Sequence, residues 1–293
     1  MAQAIIFRRG GGSGYATITF NGVSTLKKTD VASLSKARSS LGATTVGNYA
    51  LFGGGGINNG TYIGVNTVDA YNTDLTKSTP TALSQARYYL SATAVGNYAL
   101  FGGGYSGGGG SYSTVDAYNT SLTRSTPTVL SQTRYLLSAT AVGNYALFGG
   151  GSAVVDAYNT NLTRSTPTAL SEARSQLAAT TVGNYALFGG GRGFSTVDAY
   201  DTSLVRSIPT ALSQARGSLA ATTVGNYALF GGGSGPFSST VDAYYVNNKV
   251  QVYPGTIYKL GSMASESTSL TMQEIETTAP ITGYIKIKDA TIN

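Results

Sequence analysis

The chain of 293 residues has no cysteine, no histidine and no tryptophan, and only 11% of it is charged. Without cysteine there is no disulfide framework, and the redox compartment is left open. Without histidine as well, Cys/His metal centres, Ser-His-Asp triads and Cys-His pairs are excluded, because each depends on an imidazole or a thiolate. No metal, no cofactor and no catalytic residue is expected, so the chain reads as no enzyme. Glycosidase chemistry needs a carboxylate pair across a cleft, and three of the four glutamates (Glu266, Glu274, Glu276) lie in an irregular C-terminal stretch. No apolar run approaches membrane-spanning length, so no membrane partner is expected. The opening MAQAIIFRRGGG does not read as a signal peptide: AIIF is too short for an h-region and its arginines lie on the wrong side. Nineteen basic against thirteen acidic side chains give +6, a mild bias toward anionic partners. No basic cluster is dense enough for a nucleic-acid groove.

What the chain does have is repetition. VGNYALFGGG occurs five times without a changed letter, from Val46, Val95, Val142, Val182 and Val224, at spacings of 49, 47, 40 and 42 residues. Each copy is followed by VDAY, and the first four then by a close variant of NTSLTRSTPTALSQAR. A unit of this size cannot bury its own apolar face, so it must stack on its neighbours. The composition, with 39 Gly and 21 Tyr, suits short strands joined by glycine turns. In the second copy, Tyr89 to Val95 reads as a strand of small residues and Gly96-Asn97 as a two-residue hairpin turn. Tyr98 to Phe101 then alternates Tyr and Leu with Ala and Phe, Thr114 to Tyr118 forms a third strand, and Leu122 to Thr126 a fourth that Pro127 stops. Four antiparallel strands with no helical period make one blade of an all-β propeller.

A glycine doublet after an apolar strand, a tyrosine about a dozen residues on, and a Pro-containing stretch ending in Arg together resemble the kelch repeat over roughly residues 38–245. The resemblance implies a kelch-like β-propeller of four-stranded blades. Kelch repeats carry a tryptophan in the fourth strand, and here Lys77, Arg124, Arg164 and Arg206 lie near that position. The copper oxidases of this architecture need His and Cys, which are absent. The Asp-box pattern of propeller sialidases is absent too.

Six blades are favoured: five clear repeats over 38–253, and a degenerate blade shared by the termini. Residues 1–37 supply its closing strands, with Phe7 to Phe20 and Leu26 to Arg38 matching the spacing of the repeats. Residues 254–293 add a closing strand around Ile285 and Ile287 and a small β-appendage or oligomerisation surface. Five blades closed by Leu26 to Asp30 are the alternative. A shared blade would leave no open edge.

The repeats also show where they disagree. The loop between GGG and VDAY holds 12, 10, 3, 5 and 7 residues in successive units. A second variable spot follows each SQAR: Ser39-Ser40, Tyr88-Tyr89, Tyr135-Leu136, Ser175-Gln176 and Gly217-Ser218. Antiparallel order puts both sets at one end of the blades and the unvarying turns at the other. The candidate ligand-binding face there is carried by Tyr62, Tyr88, Tyr89, Tyr105, Tyr112, Tyr135, Phe194 and Phe237 among Gly, Ser and Asn. Antibody paratopes use the same alphabet of rigid aromatics and small polar residues. Arg38, Arg87, Arg134, Arg174 and Arg216 recur once per unit, either as an anion-binding ring at the pore mouth or as structural partners of Asp69, Asp116, Asp156, Asp198 and Asp242.

The start MAQAIIFRRGGG, the near-identical repeats and the ending ITGYIKIKDATIN resemble tail-associated proteins of phages and prophages of Gram-positive gut bacteria. That resemblance implies a receptor-binding or host-adhesion role toward a cell-surface glycan or anionic wall polymer, alongside other tail proteins, in a virion or extracellular setting. Otherwise the expected setting is cytoplasmic. The rival reading is a structural or protein–protein interaction scaffold. The oligomeric state is left open.

Overall fold

The computed structural model describes residues 28–246 and, beyond them, the backbone of four short strands. The chain divides into two compact units, 1–31 and 32–293, and every blade lies in the second. The fold is all-β. Four sheets are four-stranded and antiparallel, with strands in chain order: blade 1 from Gly42–Val46, Tyr49–Gly53, Val68–Tyr71 and Lys77–Ser78; blade 2 from Ser91–Val95, Tyr98–Gly102, Val115–Asn119 and Arg124–Ser125; blade 3 from Leu137–Val142, Tyr145–Gly150, Val155–Asn159 and Arg164–Ser165; blade 4 from Ala178–Val182, Tyr185–Gly189, Val197–Asp201 and Arg206–Ser207. Blade 5 has three described strands, Ala220–Val224, Tyr227–Gly231 and Val241–Tyr245. The first strands of successive blades neighbour one another, so each sheet runs outward from a shared axis to its fourth strand.

Each strand follows from its letters. The Gly-Asn pair closes a tight turn with Gly96 at φ +52°, pairing Val95 with Tyr98. The fourth strand is only Arg124–Ser125, shorter than its sequence suggests. Leu122 adopts φ +61°, and the Asn119 side chain accepts the N–H of Ser121 and Thr123, so the chain is still turning there.

The second strand is buried on both faces. Leu100 packs with Phe148 and Tyr158 of blade 3, while Ala99 and Phe101 pack with Leu51, Val68 and Ala70 of blade 1. Four such interblade cores recur, each joining a Leu/Val/Ala face to the Ala/Phe/Tyr face of the next blade. Within each, the phenylalanine meets the VDAY tyrosine edge-on, as in Phe148–Tyr158 at 6.0 Å and 87°. The glycine that ends the second strand admits this wedge. A Cβ on Gly102 would lie 2.7 Å from Cε1 of Phe148, and Gly53, Gly149 and Gly189 face Phe101, Phe188 and Phe230 in the same way.

The array has two uncovered faces among the described residues. Val224 and Val241 of blade 5 are each 59% exposed, whereas Val182 and Val197 of blade 4 are buried. Phe52 of blade 1 is half-buried, while its four counterparts are fully buried. Five blades are thus described. The strands expected from Phe7 to Phe20 and around Ile285 lie outside the described residues. Lys28–Asp30, expected in a closing strand, is not in one. Past residue 246 the backbone forms two antiparallel ladders, Asn248–Gln251 with Glu274–Thr277 and Thr256–Tyr258 with Ser267–Ser269.

Each VDAY tyrosine donates its hydroxyl to a carbonyl of the incoming connection: Tyr118 to Thr81, Tyr158 to Thr128 and Tyr200 to Thr168 at 2.7 Å, and Tyr244 to Thr210 at 2.9 Å. Burial, and then the neighbouring aspartate, push these four phenols upward, Tyr244 to about 12. A folded pKa above the unfolded value of about 10 gives stability that is complete below pH 10 and lost as pH rises through the folded value. Tyr158→Phe should cost about 1 kcal/mol at pH 7 for the lost hydrogen bond. Its melting temperature should then fall less steeply than the parent's above pH 10, as thermal melts across that range will show. Gly102→Ala should destabilise by about 1–3 kcal/mol through the Phe148 clash. Gly108→Ala, with open space around it, should leave the denaturation midpoint unchanged.

Candidate functional site

The two variable sets meet at one end of the blades, as the antiparallel order requires. Tyr88 and Tyr105 exchange backbone hydrogen bonds of 3.0 and 2.8 Å, as do Ser39 with Gly56 and Gly217 with Ser234. The residue that follows in each connection, Ser40, Tyr89, Leu136, Gln176 and Ser218, is left-handed at φ 52–58°. This backbone lets each N–H reach the carbonyl of the preceding blade: Tyr89 to Ser40 at 3.0 Å, Leu136 to Tyr89 at 3.2 Å, Gln176 to Leu136 at 3.0 Å and Ser218 to Gln176 at 2.8 Å. The result is an arc of main-chain bonds around the axis at the loop end. A left-handed non-glycine residue costs on the order of 1–2 kcal/mol, offset here by satisfying main-chain groups that would otherwise be orphaned at the mouth. Inside the arc lies a cavity of ≈ 230 Å³, lined by the five arc residues and by Leu41, Leu90, Leu137 and Leu177.

Beside the cavity, five of the eight aromatics expected on this face form one cluster. Tyr88 is buried at its centre and meets Tyr62 at 4.7 Å, Tyr89 at 4.9 Å and Tyr105 at 5.7 Å, all edge-on. Tyr135 lies 5.1 Å from Tyr105 and 6.5 Å from Tyr89 at tilted angles. Tyr89 and Tyr135 are each 40% exposed and present the platform to solvent. Loop length sets the difference between Tyr88 and Tyr135, which hold the same position in their repeats. The 12- and 10-residue loops of blades 1 and 2 bring Tyr62, Tyr105 and Gly107 over Tyr88. The loop of blade 3, Ser152 to Val154, is too short to cover Tyr135. The Tyr62 hydroxyl is fixed by Ser39 Oγ at 2.7 Å and Ser40 Oγ at 3.2 Å. Burial, then the surrounding tyrosines, raise the pKa of Tyr88, so it stays a neutral underlay.

The other three aromatics stand apart. Tyr112 and Phe194 sit where blade 1 has the buried Val65, and their carbonyls accept the N–H of Arg134 and Arg216 at 3.1 Å. They anchor the next connection. Phe237 is 95% exposed and makes no ring contact among the described residues. Ser40, Leu136, Gln176 and Ser218 also stand at the mouth without an aromatic ring; their signal in the sequence is the second variable letter after each arginine.

The recurring arginines do not open onto the mouth. Arg38, Arg87, Arg134, Arg174 and Arg216 have fully buried side chains, each paired with an aspartate of the following sheet: Asp69 at 2.9 Å, Asp116 at 2.7 Å, Asp156, Asp198 at 2.7 Å and Asp242 at 2.6 Å. Of the two readings the sequence left open, this geometry is the structural one. The carboxylate is fully used. Asp116 accepts from Ser84 N and Oγ at 3.0 and 3.1 Å, from Arg87, and from Arg124 of its own fourth strand at 3.3 Å. Lys77, Arg124, Arg164 and Arg206 are thus second cations to the same aspartates, 19–26% exposed.

Removing one partner strands a buried charge, so Asp156→Ala should cost about 3–5 kcal/mol in denaturant unfolding. At Asp69, burial opposes the charge, but the Ser35 hydroxyl and Arg38 outweigh it and hold the carboxyl below its usual range. Its stabilisation is complete above the unfolded value of about 3.9 and is lost as pH falls through the folded one. Ser35→Ala should therefore melt earlier than the parent at pH 6, and the two curves should converge below about pH 3.9.

No family model matches the chain, and no curated protein matches it by sequence. Among solved structures 608 chains match, so the likeness identifies a widely used architecture and not an activity. One, described as "Structure of YjhT", is 12% identical with a TM-score of 0.57, over 70% of this chain and 80% of that one. What this chain is similar to, then, is a propeller-like all-β fold.

Proposed function

We propose that this chain is a non-enzymatic binding propeller whose loop-rich face recognises a cell-surface glycan or anionic wall polymer. The observation that carries the reading is the five-tyrosine cluster beside the axial cavity. Sugars offer C–H faces to aromatic rings and hydroxyls to small polar side chains, and this face supplies both from rigidly held positions. Tyr and Ser give contact area and hydrogen bonding at low cost in conformational entropy. The context we propose is host adhesion by a phage or prophage tail-associated protein, on the strength of the terminal sequences described above. A protein–protein scaffold is the second reading, and the isolated, exposed Phe237 favours it.

The test is binding of the full chain to a glycan array and to purified Gram-positive cell walls. The Tyr89→Ala/Tyr135→Ala variant should lose binding with its melting temperature unchanged, since both rings are 40% exposed. Tyr88→Ala should lower binding and stability together, because its ring is buried under three others. Silence on every glycan and wall fraction, with stoichiometric capture of one protein through Phe237, would establish the scaffold instead.

A further inference from the structure

We infer that the ligand of the loop face is an uncharged glycan and that its terminal residue occupies the axial cavity. The inference rests on the glycan-binding reading above and goes beyond it in charge, subsite and mode of entry.

Charge comes first. The five variable loops (56–67, 105–114, 152–154, 192–196 and 234–240) contain one charged residue among them, Arg192. The ten residues that follow the recurring arginines, two after each, contain none. Among the described residues the cavity is lined by Ser, Gln, Tyr and Leu. The guanidiniums nearest in sequence are buried and already paired with aspartates. Among the described residues a polyanion would find no array of free cations here, while a neutral sugar would have no charge to desolvate.

Chemistry comes second. The arc consumes its own main-chain N–H and C=O groups, so recognition falls to its side chains. Ser40 is held by Tyr62, while Gln176 and Ser218 line the cavity with no side-chain hydrogen bond among the described residues. They share that lining with five leucines and Tyr89. An apolar base with a few convergent polar groups suits a pyranose, which has an apolar face and an equatorial belt of hydroxyls.

Size comes third. A cavity of about 150 Å³ holds a six-membered aromatic ring, so ≈ 230 Å³ admits one sugar ring and not two. A terminal residue placed there has one linkage to lead out, whereas an interior residue of a polymer has two. That exit leads over Tyr89, which both lines the cavity and belongs to the tyrosine platform. The next sugars of the chain would stack there and on Tyr135.

The test uses the full chain in calorimetric titrations with neutral hexose and N-acetylhexosamine oligosaccharides, and with lipoteichoic acid as the anionic probe. Neutral binding should change by less than about twofold between about 50 and 500 mM NaCl, because no exposed ion pair is formed. Short fragments should compete far better than an equal mass of the parent polysaccharide, since they present more ends. Gln176→Tyr/Ser218→Tyr fills the cavity with the side chain that blade 2 already carries at that position, and should weaken binding about tenfold or more. The salt and fragment measurements need no variant and decide the matter even if that one misfolds. Lipoteichoic acid binding that collapses with salt and with Arg192→Ala would overturn the inference. So would neutral binding untouched by the cavity variant. Either result leaves the tyrosine platform standing if Tyr89→Ala/Tyr135→Ala still abolishes binding; failure of the parent to bind any probe takes down both.

Discussion

A buried aspartate on the third strand of each blade is the constraint that organises this molecule. Removing a carboxylate from water costs several kcal/mol unless its oxygens are filled with charged or polar donors. Asp116 is filled from two directions: by Ser84 and Arg87 of the connection arriving from blade 1, and by Arg124 of its own fourth strand. Ser and Arg three residues apart in the connection clamp one carboxylate, so the connection can dock in only one register. That register places the residues just after the arginine at the axis, where they turn left-handed and bond to the blade before. The mouth is therefore a consequence of the clamp. The segment Ala32 to Arg38 shows the same rule at the start of the array, with Ser35 and Arg38 on Asp69 and the Tyr71 hydroxyl on the Ala32 carbonyl.

The same clamp explains why the repeats are so alike where they are alike. Each blade must fit the face before it and the face after it, so Leu, Phe, Val, Tyr and the strand-ending Gly are fixed twice over. Stability in such an array is a sum of units and neighbour interfaces, and a changed letter on a mating face disturbs two of them. The loops beyond the GGG turn mate with adjacent loops and with the connection to the next blade, to which their last residues are tied by main-chain bonds. They are free to differ by a factor of four in length without touching the interblade cores.

Much of this was legible in the letters. Five arginines and five aspartates recurring once per unit offered pairing as one of two readings, and antiparallel order alone put both variable sets at one end. Less was legible wherever a single residue turned the chain. Leu122 looks like the start of a strand, but the Asn119 side chain holds it in a turn. Tyr88 and Tyr89 are adjacent and identical in type, yet one is buried and the other 40% exposed. That split depends on two long loops folding over Tyr88 and on the left-handed φ of Tyr89, neither of which spacing reports. Tyr112 and Phe194 looked like members of the same face because aromatic content was the guide; their position is that of Val65, set by a main-chain bond to the next arginine.

The position of the clamp also decides what the net charge means. Nine of the nineteen basic side chains, the five clamp arginines with Lys77, Arg124, Arg164 and Arg206, converge on five aspartates. Nine minus five leaves a surplus of four positive charges, against a formal net charge of +6 for the whole chain. That surplus is carried by Lys77, Arg124, Arg164 and Arg206 of the fourth strands, the members of each sheet farthest from the axis, while the five variable loops hold Arg192 as their one charged residue. Exposed charges act over about a Debye length, roughly 8–10 Å in physiological salt. These four positive charges thus belong to the outer strands as a by-product of holding the blades together. At the mouth, the described lining is leucine, tyrosine and uncharged polar side chains.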